Sequence, residues 1–388
     1  MTPNPFTKQY LMTAGPTPVP PAVSQAMAAP MLYHRAPAFD ELYERVLGRL
    51  PGVFRTENDV LAFASSGSGA MESAVANLVR PGDKVLACAA GKFGERWIQL
   101  AEAYGGEVVR YEPGWGERLD PAEIDRLLTG DIKVAFATLS ETSTGIVHDI
   151  QAIGEVAAKH DVILAVDAVS GLGAAELRQD EWGIDVVLAG SQKALMCPPG
   201  LAFASVSERA LEYAESRNSG RYYFDWGRTA KSQRKGASPF TPAVSLFLGL
   251  DIALGMIEAE GLDNVMARHK LLARATRAGA AAIGLELFGD PDERSTVVTA
   301  IELPEDIDGG KVPGTLRRLG ITANGGQDHL KGRILRIAHC GYFGAFDILT
   351  SLSGLEIALD QLGREVEHGA AAGAAQRVFL EAGVPAAA

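Results

Sequence analysis

The chain of 388 residues sets 36 Lys and Arg against 48 Asp and Glu, a formal net charge of −12, with 47% apolar and 22% charged residues. That balance argues against a nucleic-acid or anionic-membrane surface and fits a globular enzyme long enough for a large and a smaller domain. Three widely spaced cysteines, with no CxxC and no histidine cluster at metal spacing, leave no metal site to propose and point to a reduced, cytoplasmic setting. Residues 1–10 hold no apolar h-region and no run reaches membrane-spanning length, so neither a leader nor a membrane span is expected.

Thr13-Ala14-Gly15-Pro16-Thr17-Pro18-Val19-Pro20-Pro21 is too rich in proline for a helix or a central strand. It reads as an extended arm laid over another surface, or else as a disordered tail. Tyr33-His34-Arg35 is a polar stretch ahead of a helix expected over 38–50. Val60 to Ala64 predicts a buried strand, Ser65-Ser66-Gly67-Ser68-Gly69 a tight loop, and Ala70 to Val79 a helix. Such a loop aims N–H groups and the positive end of a helix at one point, which makes an anion site. No Gly-Lys-Ser/Thr follows and Glu72 breaks the dinucleotide fingerprint, so one phosphate fits better than a pyrophosphate.

Strand and helix signals then alternate: strands at 84–89, 107–111 and 134–139, helices at 95–104, 121–128 and 150–160. The runs Val162 to Asp167 and Ile184 to Ala189 add two more strands. Alternation of this kind predicts an α/β fold with a mainly parallel sheet covered on both faces, whose strand ends share one crevice.

Four features fall at those ends. Gly91-Lys92-Phe93-Gly94 sets an aromatic between glycines, where it serves either to stack on a flat ring or simply as core. Glu141-Thr142-Ser143-Thr144-Gly145 offers hydroxyls, or an ordinary turn. Asp167 closes one strand. Lys193, in Gly190-Ser191-Gln192-Lys193-Ala194-Leu195, sits at the mouth of another, where a desolvated amine loses its proton readily and forms Schiff bases. Pyridoxal phosphate asks for a lysine for its aldehyde, an acid for its ring nitrogen and N–H groups for its phosphate, and all three types are present.

Residues 217–239 are polar, aromatic and basic without clear periodicity, which predicts a mobile loop or one reaching across a subunit boundary. Apolar helical stretches follow from Thr241 through Ile257 and from Asp263 to Ile283. Segments at 296–303, 312–319 and 333–338, closed by 348–362, suggest a small α+β domain. Within it, Arg336 on an alternating strand is either a two-bond carboxylate clamp or a solvent-facing arginine. The alanine-rich tail from Gly369 suggests no function.

Gly15-Pro16-Thr17-Pro18-Val19-Pro20, Ser66-Gly67-Ser68-Gly69, the 141–145 run, Val166-Asp167-Ala168-Val169-Ser170 and Ser191-Gln192-Lys193-Ala194 with Pro198-Pro199-Gly200 occur in this order. Taken together they resemble the class V aminotransferases, in particular the alanine–glyoxylate, serine–glyoxylate and serine–pyruvate branch, from about Leu11 to Leu362.

The resemblance implies the fold type I architecture of pyridoxal-phosphate transferases: an arm (1–25), a large domain (26–260) with a seven-stranded sheet, and a small C-terminal domain (261–388). It implies a homodimer with shared sites that moves an amino group from serine or alanine to glyoxylate or pyruvate through a Lys193 Schiff base. Asp167 would keep the ring nitrogen protonated, Phe93 would stack on the ring, and Thr142 would lie near its phenolic oxygen. Ser68, Gly69, Ala70 and Gln192 would hold the phosphate, with Thr241 reaching it from a second subunit. Arg336 would bind the α-carboxylate, with Gly15 and Thr142 also toward the substrate. Leu139 and Ala70 stand where relatives carry histidine. Other outcomes are a ureidoglycine–glyoxylate aminotransferase, a cysteine desulfurase-like lyase, or, from His339-Cys340-Gly341-Tyr342 and Gly325-Gly326-Gln327-Asp328, a non-catalytic hydrogenase-associated subunit.

Overall fold

The computed structural model describes residues 8–217, 220–290 and 294–383. The first seven positions of the expected arm, Asn218 and Ser219 of the basic aromatic segment, and the last five residues of the tail lie outside the described residues.

Seven strands form the central sheet: β1 Val60–Ser65, β2 Lys84–Cys88, β3 Glu107–Tyr111, β4 Val134–Thr138, β5 Ile163–Asp167, β6 Val186–Gly190 and β7 Gly200–Val206. Their spatial order is β1-β7-β6-β5-β4-β2-β3. Strands β2 to β6 pair in parallel, whereas β7 runs antiparallel between β1 and β6. Leu164, Val166, Val187 and Phe203 join one core with helices Pro37–Phe54, Ile150–Lys159 and Val244–Glu260. Their sequence neighbours Ile163, Ala165, Val186 and Ala204 join a second core with helices Gly67–Leu78, Lys92–Ala103 and Glu208–Ser216. Burial on both faces is why these strands read as continuous apolar runs.

A three-stranded antiparallel sheet follows, with β10 Ile334–Ala338 between β8 Val298–Glu302 and β9 Asn324–Gly325. It shares a third core with helices Leu262–Ala282, Ala345–Gln361 and Ala370–Glu381. The described part of the proline-rich segment is an extended arm: Tyr10–Leu11 pairs in parallel with Ile321–Thr322, and Met12 and Ala14 enter this third core.

Local structure departs from the sequence reading in three places. Gly67-Ser68-Gly69 is not a loop but the first turn of the helix, which begins at Gly67 directly after β1. Pro21 opens a short helix, Pro21–Met27, because its fixed φ and missing N–H suit the first helical position. The basic aromatic segment contains a helix, Trp226–Gln233, started by Asp225 accepting from Arg228 N at 2.7 Å. It folds onto its own chain: Trp226 is buried, with Nε1 donating to Ser73 Oγ and N to Asn77 Oδ1, both at 3.2 Å. The alanine-rich tail is a helix whose start is held by the buried Glu356, which accepts from Gly369 N at 3.0 Å and Ala371 N at 2.6 Å. No helix among the described residues is long and apolar enough to cross a membrane.

Candidate active site

The carboxyl ends of the parallel strands converge on Lys193, three residues past β6, and on Asp167, the last residue of β5. Register sets Asp167 between Thr138 of β4 and Leu188 of β6. Lys193 is 8% exposed, and its Nζ donates to the carbonyl of Ala14 in the arm. A Cβ on Gly15 would lie 2.3 Å from that nitrogen, and φ is +147° there, so only glycine lets the arm cross the lysine. Thr17 fixes the lysine loop from the same side, donating through N to Gln192 O and through Oγ1 to Lys193 O, each at 3.0 Å. Burial pushes the Lys193 ammonium below its ordinary range, opposed by Cys340 and Asp167. Burial also raises Asp167 from 3.8 to about 6, although its Oδ1 accepts from Val169 N at 2.8 Å.

The helix Gly67–Leu78 points its N-terminus at this crevice with no side-chain cap and no acidic residue in its first turn. Gly69 and Ala70 turn their N–H groups back to Ser66 O, at 2.9 and 3.3 Å, leaving the Gly67 and Ser68 N–H groups at the mouth. A Cβ on Gly67 would meet Val169 at 2.8 Å, and one on Gly69 would meet Ser65 Oγ at 1.8 Å and Phe224 at 3.1 Å. Ser66 and Ser68 are exposed and Ala70 is fully buried. Gln192 Oε1 is buried without a hydrogen bond. A free helix end and a glycine cradle suit a phosphate beside an amine and an acid, so pyridoxal phosphate fits the residues present. Thr241 stands apart: it is exposed, on a groove of about 650 Å³ shared with Met31, Leu32, Tyr33 and His34.

Phe93 is half-buried in the first turn of the Lys92–Ala103 helix, with the Arg96 guanidinium 5.0 Å from its ring centre. Thr142 Oγ1 bonds Ser170 Oγ at 3.0 Å, and Thr142 O accepts from Arg336 Nη1 at 2.7 Å. The other side of that guanidinium, Nε and Nη2, donates to Gly325 O at 3.0 and 2.9 Å. Arg336 is 6% exposed, so the solvent-facing alternative fails: its strand is buried on both faces. Among the described residues it makes no salt bridge, and burial lowers it to about 10, opposed at longer range by the charge of Glu141. A buried guanidinium held only by carbonyls is set for an incoming carboxylate.

Glu141 is the residue the sequence reading missed. It is fully buried and accepts from Phe93 N and Gly94 N at 3.0 Å, from Ser143 N at 3.1 Å and from Ser143 Oγ at 2.5 Å. Burial raises its pKa against these donors. Reading the 141–145 run for its hydroxyls leaves this carboxylate out, though an acid just past a buried strand is the signal that also marks Asp167. Leu139 lies in the core against Gly171. The three cysteines are buried, with Cys88 and Cys197 raised to about 12 and Cys340 to about 11, all through desolvation.

Comparison with known proteins matches residues 9–336 to the family described as aminotransferase class-V. The chain is 40% identical to a protein named soluble hydrogenase, small subunit, of Synechococcus sp., over 97% of this chain and 99% of that one. It is 36% identical to serine–glyoxylate aminotransferase of Methylorubrum extorquens, over 96% of each. A solved structure of ureidoglycine–glyoxylate aminotransferase from Bacillus subtilis resembles it with a TM-score of 0.93 and 32% identity, covering 98% of this chain and 99% of that one.

Proposed function

The chain belongs to the class V aminotransferase family, and we propose that it moves the amino group of a small amino acid, serine or alanine, to glyoxylate or pyruvate. Its cofactor is pyridoxal phosphate. The observation that carries the reading is the buried Lys193 amine at the end of β6, beside Asp167 at the end of β5 and within one crevice with the buried Arg336. Serine and glyoxylate as substrates draw support from the names of the relatives, of which glyoxylate is the shared part.

When bound, pyridoxal phosphate supplies an electron-accepting ring that stabilises the charge left when an amino acid loses its α-proton. Lys193 is the residue that would hold its aldehyde, Asp167 its ring nitrogen, Phe93 its ring face and the Gly67 helix with Gln192 its phosphate. Because burial disfavours the charged ammonium, Lys193 Nζ serves as the base that takes the α-proton and later returns it. Asp167, once facing a cationic ring nitrogen, is held ionised by that charge and keeps its proton in place. Arg336 orients the donor by its α-carboxylate, with Gly325 O and Thr142 O fixing the plane of the guanidinium. The groove beside Thr241, lined by Met31, Leu32, Pro242 and Leu246, with Met31 70% and Tyr33 67% exposed, supports a second copy of the chain there.

The test is an absorbance spectrum of the purified protein with pyridoxal phosphate, repeated after serine, alanine or aspartate, then glyoxylate. A yellow band that one donor bleaches and glyoxylate restores is expected, and Lys193→Ala abolishes both the cycle and turnover. No band in the wild-type protein would overturn the reading and move a partner-subunit role to the front. Sulfide release from cysteine is not expected, since no cysteine thiol here is exposed or lowered in pKa.

A further inference from the structure

We propose that Glu141 is a positioning residue for transamination: one buried carboxylate that sets both the ring-facing turn at Phe93 and the corner that seats Arg336. The inference rests on the site reading given above for Lys193 and pyridoxal phosphate.

Glu141 has no ion-pair partner among the described residues, although it is fully buried. Such a group is tolerated only where N–H and O–H donors replace water. The two oxygens divide this work. Oε2 accepts from Phe93 N and Gly94 N, within the first turn of the Lys92–Ala103 helix, where the backbone is positive. Oε1 accepts from Ser143 N and Oγ, and Ser143 Oγ in turn accepts from Lys92 N at 3.0 Å. The first three N–H groups of the helix are therefore all taken by the 141–143 corner.

That corner also reaches the other wall. Thr142 lies between Glu141 and Ser143, its carbonyl holds Arg336 Nη1, and its hydroxyl bonds Ser170 three residues past Asp167. A shift of the Glu141 carboxylate thus moves Phe93 on one side and the Arg336 anchor on the other. Gly91 is part of the device: a Cβ there would lie 2.5 Å from Glu141 Cγ and 2.6 Å from both its Cδ and Ser143 Oγ. Glutamine at 141 keeps the shape but presents an NH₂ group to one pair of donors, so only one of the two walls stays bonded.

The experiment measures the dissociation constant of pyridoxal phosphate from the apo-protein, followed by tryptophan fluorescence, and the KM of the amino donor. Both are taken for the wild type, Glu141→Gln, Phe93→Ala, Arg336→Ala and the two doubles. Glu141→Gln is expected to weaken one or both quantities by about tenfold. In the Phe93→Ala background its effect on cofactor binding should shrink below about twofold, and in the Arg336→Ala background its effect on KM should shrink likewise. Unchanged constants in Glu141→Gln, or full losses persisting in both backgrounds, would reduce Glu141 to an ordinary structural cap and overturn the proposal. Should Glu141→Gln not fold, Ser143→Ala removes the hydroxyl that joins Glu141 Oε1 to Lys92 N but leaves Phe93 N and Gly94 N on Oε2, and is expected to raise donor KM by more than it weakens cofactor binding; a wild-type KM there overturns the proposal equally. Failure of the wild-type protein to bind pyridoxal phosphate would instead sink the site reading.

Discussion

Two helices of 12 residues each, Gly67–Leu78 and Lys92–Ala103, begin at the carboxyl edge of the same sheet and present their positive ends to the same crevice. The first is open: no side chain caps it, its first turn has no acid, and Ser66 and Ser68 are exposed. The second is closed from within by Glu141 and Ser143, brought from the 140–141 strand end. The same backbone feature therefore does two jobs. Where the chain supplies no anion, the end is left for a phosphate; where it supplies one, the end becomes a fixed wall.

The residue between the two ends gives the largest expected effect. Asp167 owes its raised pKa first to burial and in part to the charge of Glu141, the anion of the closed end. Asp167→Asn is expected to lower kcat by about a hundredfold to a thousandfold, since the ring nitrogen loses its counter-charge. The apo-protein carries a second signature. Because Asp167 titrates at about 6 when folded and at 3.8 as an ordinary group, the folded chain holds its proton more tightly than the unfolded one. Its contribution to stability is full below pH 3.8 and is lost as the pH rises through about 6, by at most about 3 kcal/mol. Urea unfolding of the apo-protein at pH 4 and pH 7 should show the Asn variant gaining on the wild type across that interval. A parallel pH dependence in the two would mean that Asp167 is ionised throughout.

Converting the open end into a copy of the closed one is the next largest step. Ser68→Asp places a carboxylate at the mouth of the Gly67 helix, which should stabilise the apo-protein by about 0.3–1 kcal/mol through the helix dipole. The same charge repels a phosphate and should weaken pyridoxal phosphate by about tenfold to a hundredfold. The opposite signs are the point. Thermal unfolding of the apo-protein together with a cofactor titration reads both, and unchanged affinity would place the phosphate elsewhere.

The open end was legible in the sequence because everything it needs is local: an apolar strand, then Ser-Gly-Ser-Gly, then a helical run, even though the helix starts at Gly67 rather than Ala70. Asp167 and Lys193 were legible for the same reason, each marked by the buried strand that precedes it. The closed end was not. Its carboxylate lies 47 and 48 residues from the helix N–H groups of Gly94 and Phe93, and only the sheet order, with β4 beside β2, brings them together. Trp226–Gln233 was lost differently: its helix is short and polar, fixed by one buried tryptophan on Ser73 and Asn77 rather than by an apolar period. Arg336 stayed open between a carboxylate clamp and a solvent-facing side chain because alternation suggests one wet face, whereas β10 is covered on both.

The smallest effect tests whether the closed end is held from inside or from its rim. Lys92, next to Phe93, pairs with Asp328 at 2.7 Å and with Glu95 at 3.5 Å, and a third of its side chain is exposed. Asp328 belongs to the segment between β9 and β10, just past Gly325, whose carbonyl holds Arg336, and its neighbour His329 meets the Trp115 ring at 4.5 Å. This rim contact spans the same two walls that Glu141 joins inside, but in water, where an ion pair contributes little and is screened by salt. Lys92→Met should therefore raise donor KM by less than about threefold, leave cofactor binding unchanged, and be mimicked in the wild type by added salt. A loss as large as that of Glu141→Gln would show that the rim pair holds the wall. The contrast between an open helix end and one closed by a buried carboxylate would then fail at its second half, because the anion that matters would be Asp328, on the surface.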